Sequence, residues 1–153
     1  ANDLIMDSGA DLSALIADEL WSLVGGNSNP LAAGYVQEMV KTIRGLGGIA
    51  ITSTQGMQDM FSLEGGKYGK GILDSSRIKL VMQMEEQEAR LIQSVLNLSE
   101  DEVRQITRFR RGEGLLCIGY NHVPVAFYVT PKEYDAITTS PTDLKAKREG
   151  RRE

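Results

Sequence analysis

The sequence predicts an α/β domain with a mainly parallel β-sheet, packed helices and a β-hairpin towards the C-terminal end. Short β-rich apolar runs at 49–53 and 78–82 are typical of buried parallel strands. Helical patterns lie between these runs, and such alternation is characteristic of layered α/β domains. Two further apolar runs, 115–119 and 123–129, flank a short turn and predict the hairpin.

The first element, at residues 12–17, can be read in two ways. Leu12, Leu15 and Ile16 begin an apolar stripe with helical spacing, but 14–17 also fits a short buried strand that ends at Asp18. Periodicity alone does not decide between helix and strand. The preceding residues 1–11 are expected to be disordered or foreign to the native protein.

The middle of the chain alternates helical and glycine-rich patterns. Apolar residues recur at helical spacing over 31–43, and the glycines at 45–48 predict the end of that helix. One or two helical turns are predicted at 57–63. The glycine-rich stretch 64–71 is expected to be mobile.

The later helices have capping signals. A helix is predicted at 85–96, and Ser99 with Glu102 forms a capping box for a second helix that reaches about residue 109. Thr130 followed by a proline and by Glu133 predicts a short last helix. We expect 12–140 to be the structured domain and 141–153 to be a basic flexible tail.

Composition narrows the class of protein. The apolar share of 41% and the charged share of 25% are those of a globular protein, and no run approaches the roughly 20 apolar residues that a membrane span needs. The net charge of −4 argues against a general nucleic-acid-binding surface. The single cysteine, Cys117, excludes an internal disulfide and is expected to be buried.

Two polar segments follow predicted strands, where α/β sheets bind their ligands. Asp18 and Glu19 follow the first apolar run, and an acidic pair in this position can hold Mg²⁺ and activate water in nucleotide hydrolases. Thr54 and Gln55 follow the run 49–53, where a side-chain amide can contact a γ-phosphate or the attacking water. Taken singly, the acidic pair fits a solvated helix face and Thr-Gln fits an ordinary loop.

Other polar and aromatic residues also have alternative interpretations. Arg44 suits the rim of a nucleotide site but also the C-terminal end of a helix. Trp21 can serve as a stacking platform or as core packing. His122, the only histidine, lies in the predicted hairpin turn without a second histidine or a cysteine to complete a metal site, and a surface position is expected.

Several stretches together resemble the conjugative-transfer ATPases of type IV secretion systems, especially those of Gram-positive conjugative elements, which are relatives of the FtsK and HerA motors. The resemblance covers about residues 12–144, and the stretches that carry it are 14–26, 43–55, 71–76, 111–116 and 137–141. It implies a RecA-like, three-layer P-loop NTPase fold, ATP as substrate, and Mg²⁺.

The resemblance also implies roles for individual residues. It assigns Asp18 to Mg²⁺ coordination, Glu19 to water activation and Gln55 to γ-phosphate sensing. Thr54, the neighbour of Gln55, is assigned to nucleotide binding. Arg44 is then similar to an arginine finger that acts on a neighbouring subunit. Arg111 is similar to a second basic residue near the nucleotide or the subunit boundary, although Arg110 competes with it for that role.

One part of the family pattern is absent from the sequence. A P-loop requires Gly, four residues, then Gly-Lys-Ser/Thr. The only similar stretch is 65–71, where Gly69 and Lys70 match the Gly-Lys pair. The first glycine of the motif would then fall on Glu64, and the hydroxyl residue on Gly71. We therefore expect a fragment of a truncated RecA-like domain that binds ATP poorly by itself. Loss of the neighbouring strand would expose an apolar sheet edge, so self-association is also expected.

For the parent protein, the resemblance implies an ATP-hydrolysing motor subunit of a conjugative DNA-transfer apparatus. It implies a hexamer on the cytoplasmic face of the membrane, peripherally bound to secretion-channel proteins. Direct DNA contact is possible in such a motor, but the acidic charge balance does not support it. The alternative is a non-catalytic α/β protein-interaction module, in which the acidic pair and the glutamine only satisfy local structure.

Overall fold

The computed structural model describes residues 13–149, and the expectation for residues 1–11 lies outside this range. Residues Ser13–Ala17 form strand β1, which settles the choice between helix and strand. Strand β2, Gly48–Thr52, pairs with β1 in parallel, in a register that runs from Ser13 opposite Gly48 to Ala17 opposite Thr52. The carboxyl ends of the two strands therefore lie side by side.

Two helices connect these strands. Helix α1, Trp21–Val24, is a single turn, and helix α2, Pro30–Thr42, starts after Asn29, whose side chain accepts a hydrogen bond from the Leu31 N–H at 2.9 Å. Proline occupies the first position of α2, as the helix-start rule favours. A 3₁₀ turn, Ile43–Leu46, and Gly47 with φ of 74° lead into β2.

The glycine-rich stretch is ordered and helical, so the expectation of a mobile segment at 64–71 is wrong. Helix α3 covers Met57–Met60, a 3₁₀ turn covers Leu63–Gly66, and helix α4 covers Lys67–Ser75. Glycine allows α4 to cross α3 closely: a Cβ at Gly69 would lie 2.5 Å from the Met60 carbonyl oxygen. Gly69 thus allows close helix contact, whereas Gly65 and Gly66, with φ of 67° and 82°, form a left-handed turn before α4.

The second sheet is antiparallel and has the order β3-β4-β5. Its strands are β3, Ile78–Met82, β4, Glu113–Ile118, and β5, Asn121–Ala126. The predicted hairpin and the α/β class are confirmed. The sequence predicts a mainly parallel sheet that includes 78–82, but in the described residues the parallel pairing is that of β1 with β2, whereas β3 pairs antiparallel with β4. The pattern at 78–82 predicts a buried strand, but within β3 only Val81 is buried, because only one face of this sheet packs against helices.

That packing face is covered by helices α5, Glu86–Leu96, and α6, Glu100–Ile106. The capping box of Ser99 and Glu102 is confirmed, although α6 ends three residues earlier than predicted. The core joins the helices to the antiparallel sheet, and Ala17 of β1 packs against it. Among its buried members are Leu20, Val24, Met60, Ile72, Ile92, Ile106 and Leu115. Cys117 is buried in this core, as predicted.

His122 does not lie in the hairpin turn, and the expectation of a surface position is wrong. It belongs to β5, its side chain is only 11% exposed, and its Nδ1 lies 2.7 Å from Glu102 Oε1. The turn is shorter than predicted and contains Gly119 with φ of 61°. Alternation along β5 therefore directs His122 towards α6.

The C-terminal part contains two helices. Thr130 and Glu133 form the predicted capping box of helix α7, Pro131–Ile137. Helix α8, Pro141–Glu149, lies within the segment that the sequence predicts to be a flexible tail. Among residues 13–149, no helix combines the length and apolarity that crossing a membrane would require.

Apolar side chains are exposed on both sheets. In the parallel pair, Ile16, Ile49 and Ile51 are exposed, and the register places Ile16 beside Ile51 on one face. In the antiparallel sheet, Ile78 and Leu80 are exposed in the same way. The expected self-association stays a prediction.

Candidate functional site

The candidate site lies where β1 and β2 end. Beyond the last paired residues, the Ser53 N–H donates to the Ala17 carbonyl at 2.9 Å, and the Leu20 N–H donates to the Ser53 carbonyl at 2.8 Å. Leu20 is 1% exposed, so its side chain anchors the turn in the core. These contacts hold the segments 18–19 and 53–55 against each other.

Asp18 is exposed, and two hydrogen bonds position its carboxylate. Its Oδ1 accepts a hydrogen bond from the Ser53 hydroxyl and another from the Glu19 N–H, the latter at 3.0 Å. Both contacts use the same carboxylate oxygen. The other oxygen makes no hydrogen bond with the described residues, and it is the one that a ligand can reach.

Glu19 is the centre of the site. Its Oε1 accepts a hydrogen bond from Gln55 Nε2 at 2.6 Å, and its Oε2 accepts one from the Trp21 indole N–H at 2.7 Å. Its backbone has φ of 51°, in the left-handed region that non-glycine residues seldom adopt. Such a conformation costs about 1–3 kcal/mol and is found preferentially at functional sites.

Thr54 lies between Ser53 and Gln55, just after β2. Its hydroxyl oxygen is buried and has no hydrogen-bond partner among the described residues. An unsatisfied buried hydroxyl is uncommon in proteins. Thr54 therefore belongs to the site by position, but no contact of its side chain reveals what it would bind.

Arg44 is not brought to the acidic pair. It lies in the 3₁₀ turn before β2, whereas Gln55 follows the other end of that strand, roughly 15 Å away along five extended residues. Its side chain is exposed and makes no hydrogen bond or ion pair with residues 13–149. Within one chain, Arg44 and Glu19 thus lie at opposite ends of the parallel strands.

Arg110 and Arg111 lie in the turn before β4. The Arg110 N–H donates to Glu113 Oε2 at 2.8 Å, and the Glu113 N–H donates to the Arg110 carbonyl at 2.9 Å. Both arginine side chains are exposed. In the described part of the chain no hydrogen bond or ion pair joins either of them to Asp18 or Glu19.

Two contributors were not foreseen from the sequence. Ser53 binds Asp18, and Trp21, which was interpreted as packing or stacking, donates to Glu19. The only sequence signal for Trp21 is an indole two residues after the acidic pair. Ser53 is one of several small polar residues at strand ends, and nothing in the pattern distinguishes it.

The donor set fits Mg²⁺ held together with a phosphate ligand rather than by protein alone. Magnesium commonly uses one or two carboxylates, with water and phosphate oxygens completing the octahedron. Asp18 offers a free carboxylate oxygen next to Glu19. Over residues 13–149 there is no cluster of three or more His, Cys, Asp or Glu side chains that could hold a metal ion alone.

Comparison with known proteins gives a consistent fold. No protein-family model and no curated protein sequence matches the chain. The structure of VirB4 of Thermoanaerobacter pseudethanolicus is similar, with a TM-score of 0.76 and 30% sequence identity over 86% of this chain and 34% of that chain. This likeness confirms the resemblance seen in the sequence, and this chain spans about a third of the length of that VirB4 chain.

A second likeness concerns the fold alone. The genome packaging NTPase B204 from Sulfolobus turreted icosahedral virus 2 is similar in its complex with ATP-gammaS, with a TM-score of 0.56 and 16% identity over 76% of this chain and 52% of that chain. Its complex with AMPPCP gives a TM-score of 0.57, with 53% of that chain covered. The α/β architecture with a parallel pair and an antiparallel sheet is therefore shared with a nucleotide-binding protein.

Proposed function

We propose that this chain is the hydrolysis half of an ATPase motor domain that serves a type IV secretion or conjugative DNA-transfer apparatus. The observation that carries the proposal is the contact between Glu19 and Gln55 at the carboxyl ends of two parallel strands. The likeness to VirB4 supports the assignment to a secretion system.

In this proposal Glu19 is the general base. A water molecule attacks the γ-phosphorus of ATP, the bond from that phosphorus to the β–γ bridging oxygen breaks, and ADP leaves with the bridging electron pair. Glu19 accepts the proton of the attacking water, and the Gln55 amide orients the water or contacts the γ-phosphate. Glu19 is half-buried and the adjacent Asp18 is exposed, so a substrate can reach the pair from solvent.

Asp18 would hold Mg²⁺, which neutralises phosphate charge when bound. The Ser53 hydroxyl and the Glu19 N–H fix one oxygen of Asp18 and so orient the other. Thr54 would contribute its buried hydroxyl to the nucleotide side of the site. A phosphate-binding loop would come from another part of the parent protein.

The arginines are proposed to act between subunits. Arg44 is exposed near the amino end of β2, whereas Glu19 lies at the carboxyl end of the strands. This position is compatible with an arginine finger for a neighbouring copy in a hexamer. Arg111 is proposed to lie near the nucleotide or the subunit boundary. The parent would work with membrane channel proteins at the cytoplasmic face of the membrane, and direct DNA contact receives no support from the charge balance.

The proposal is tested by the Mg²⁺ dependence of ATP hydrolysis in a full-length protein that contains this segment. Asp18→Asn should lower turnover by an order of magnitude or more and shift the Mg²⁺ requirement to higher concentration. Asp59→Asn, a nearby exposed carboxylate, is the matched control and should leave both unchanged. Unchanged turnover in Asp18→Asn would remove the proposed role, and absence of hydrolysis in the wild type would favour an interaction module.

A further inference from the structure

Both oxygens of the Glu19 carboxylate are occupied, and the two partners differ in kind. The Gln55 amide reaches Oε1 from the loop after β2. The Trp21 indole N–H reaches Oε2 from the first residue of α1, two positions after Glu19. Hydrogen bonds to a charged carboxylate are the stronger type, so each contact restricts the carboxylate group.

The backbone of Trp21 is held firmly. Its carbonyl accepts a hydrogen bond from the Gly25 N–H at 2.7 Å. A Cβ at Gly25 would lie 2.5 Å from that carbonyl oxygen and 2.9 Å from the Asp59 carbonyl oxygen, so α1 and α3 approach each other as closely as glycine permits. The buried Leu20 fixes the preceding residue.

The indole ring is also supported by the loop that follows β2. A Cβ at Gly56 would lie 3.7 Å from Trp21 Cγ, so the backbone that follows Gln55 lies against the ring. Trp21 has two side-chain torsions, fewer than Gln55 has, and the residue as a whole is 37% exposed. A rigid donor on a fixed helix turn thus faces one oxygen of Glu19, and a flexible donor on a loop faces the other.

We propose that Trp21 is a positioning residue for Glu19. Its indole N–H fixes Oε2, and Oε1 is left as the oxygen that exchanges the Gln55 amide for the attacking water. Orientation matters because a base that is displaced by about 1 Å loses much of its effect. This inference rests on the proposed function for its role in catalysis, but the contact itself can be tested without hydrolysis.

The first test uses this chain alone. It contains a single tryptophan, so its NMR spectrum should show one indole N–H resonance. We expect that resonance at low field in the wild type, and a shift to higher field with faster hydrogen exchange in Glu19→Ala. The matched control is Asp59→Asn, a carboxylate close to the ring that does not accept its N–H; it should change the resonance less.

The converse substitution tests positioning rather than simple contact. Trp21→Phe keeps a ring but removes the donor, so the freed carboxylate should weaken its contact with Gln55 and move the Gln55 side-chain amide resonances towards those of an exposed glutamine. An indole resonance that is the same in Glu19→Ala as in the wild type would overturn the proposal. So would unchanged Gln55 amide resonances in Trp21→Phe.

The second test uses a full-length protein that hydrolyses ATP. Trp21→Phe should lower kcat on the order of tenfold with little change in KM for ATP, because the base is misplaced while nucleotide binding is retained. A kcat equal to that of the wild type would contradict the positioning role. Failure of the proposed function is distinguishable, because the wild-type protein would then show no ATP hydrolysis while the NMR spectra still showed the contact between Trp21 and Glu19.

Discussion

Gln55 Nε2 donates to Glu19 Oε1 at 2.6 Å, although 36 positions separate the two residues in the chain. The contact follows from the parallel register, because Ala17 lies opposite Thr52 and each strand continues two or three residues further to its polar side chain. The side chain proposed to sense phosphate and the carboxylate proposed to activate water are in this way joined by a direct hydrogen bond.

This contact predicts a specific sensitivity to charge at residue 55. Gln55→Glu places a second carboxylate against Glu19, and like charges at this separation in water repel by about 1 kcal/mol. The melting temperature should fall by about 2–4 °C. Gln58→Glu, at an exposed position three residues further along the chain, is the matched control. Equal melting curves for the two variants, measured by circular dichroism, would show that the Glu19–Gln55 contact is absent in solution.

Glu102 predicts a pH dependence of stability. Burial acts to raise the pKa of Glu102, but the hydrogen bonds from the Ser99 N–H, the Ser99 hydroxyl and His122 outweigh burial, and the pKa is lowered. The stability that these contacts contribute is therefore present above the unfolded-state pKa of a glutamate and is lost as the pH falls through the lowered folded-state pKa.

The measurement for Glu102 is urea unfolding of the wild type and of Glu102→Gln between neutral pH and pH 3. The free energy of unfolding should be higher for the wild type at neutral pH, and the difference should shrink as the solution is acidified. Glu38→Gln, an exposed carboxylate in α2, should show no such convergence. A difference that is constant with pH would contradict the assignment.

Gly69 predicts a packing cost that opposes helix propensity. Alanine is the better helix former by about 1 kcal/mol, but a Cβ at Gly69 would meet the Met60 carbonyl oxygen at 2.5 Å and Met60 Cγ at 2.8 Å. Gly69→Ala should destabilise the fold by about 1–3 kcal/mol. Gly45→Ala meets nothing within 4 Å and is the control. Chemical denaturation in which the two variants are equally stable would exclude close contact of α3 and α4.

Arg44 predicts complementation between subunits. In a full-length hexamer, Arg44→Ala subunits keep an intact acidic pair, and Glu19→Gln subunits keep an intact arginine. Mixtures of the two should recover part of the ATPase activity that each lacks alone, because some boundaries then combine both wild-type residues. Activity that never exceeds the sum of the separate variants, at any mixing ratio, would exclude a role for Arg44 across the boundary.

Local signals explain most of what the sequence could predict. The capping boxes at Ser99 and Thr130 depend on residues three positions apart, and both are present. The proximity of Asp18, Glu19 and Gln55 follows from the general rule for strand ends and needs only the correct pairing of β1 with β2. These features require no knowledge of side-chain packing.

The features that the sequence did not predict depend on contacts between segments that are distant in the chain. Glycines at 65, 66 and 69 indicate a loop when read locally. Gly65 and Gly66 do form a left-handed turn, but Gly69 lies within α4, where it meets the Met60 carbonyl oxygen. His122 was displaced from the predicted turn because the hairpin pairs through Ile118 and Asn121. The roles of Arg44 and Arg111 depend on surfaces between chains, so they stay predictions.

The most direct test of the central claim is the effect of Glu19→Gln on a full-length protein that contains this segment. The amide keeps the size of the side chain and removes the base, so ATP should bind with a dissociation constant close to that of the wild type. Turnover should fall by about 10²–10⁴-fold, the range typical of a lost general base. Glu38→Gln should retain wild-type turnover. Hydrolysis by Glu19→Gln at the wild-type rate would contradict the assignment of this site.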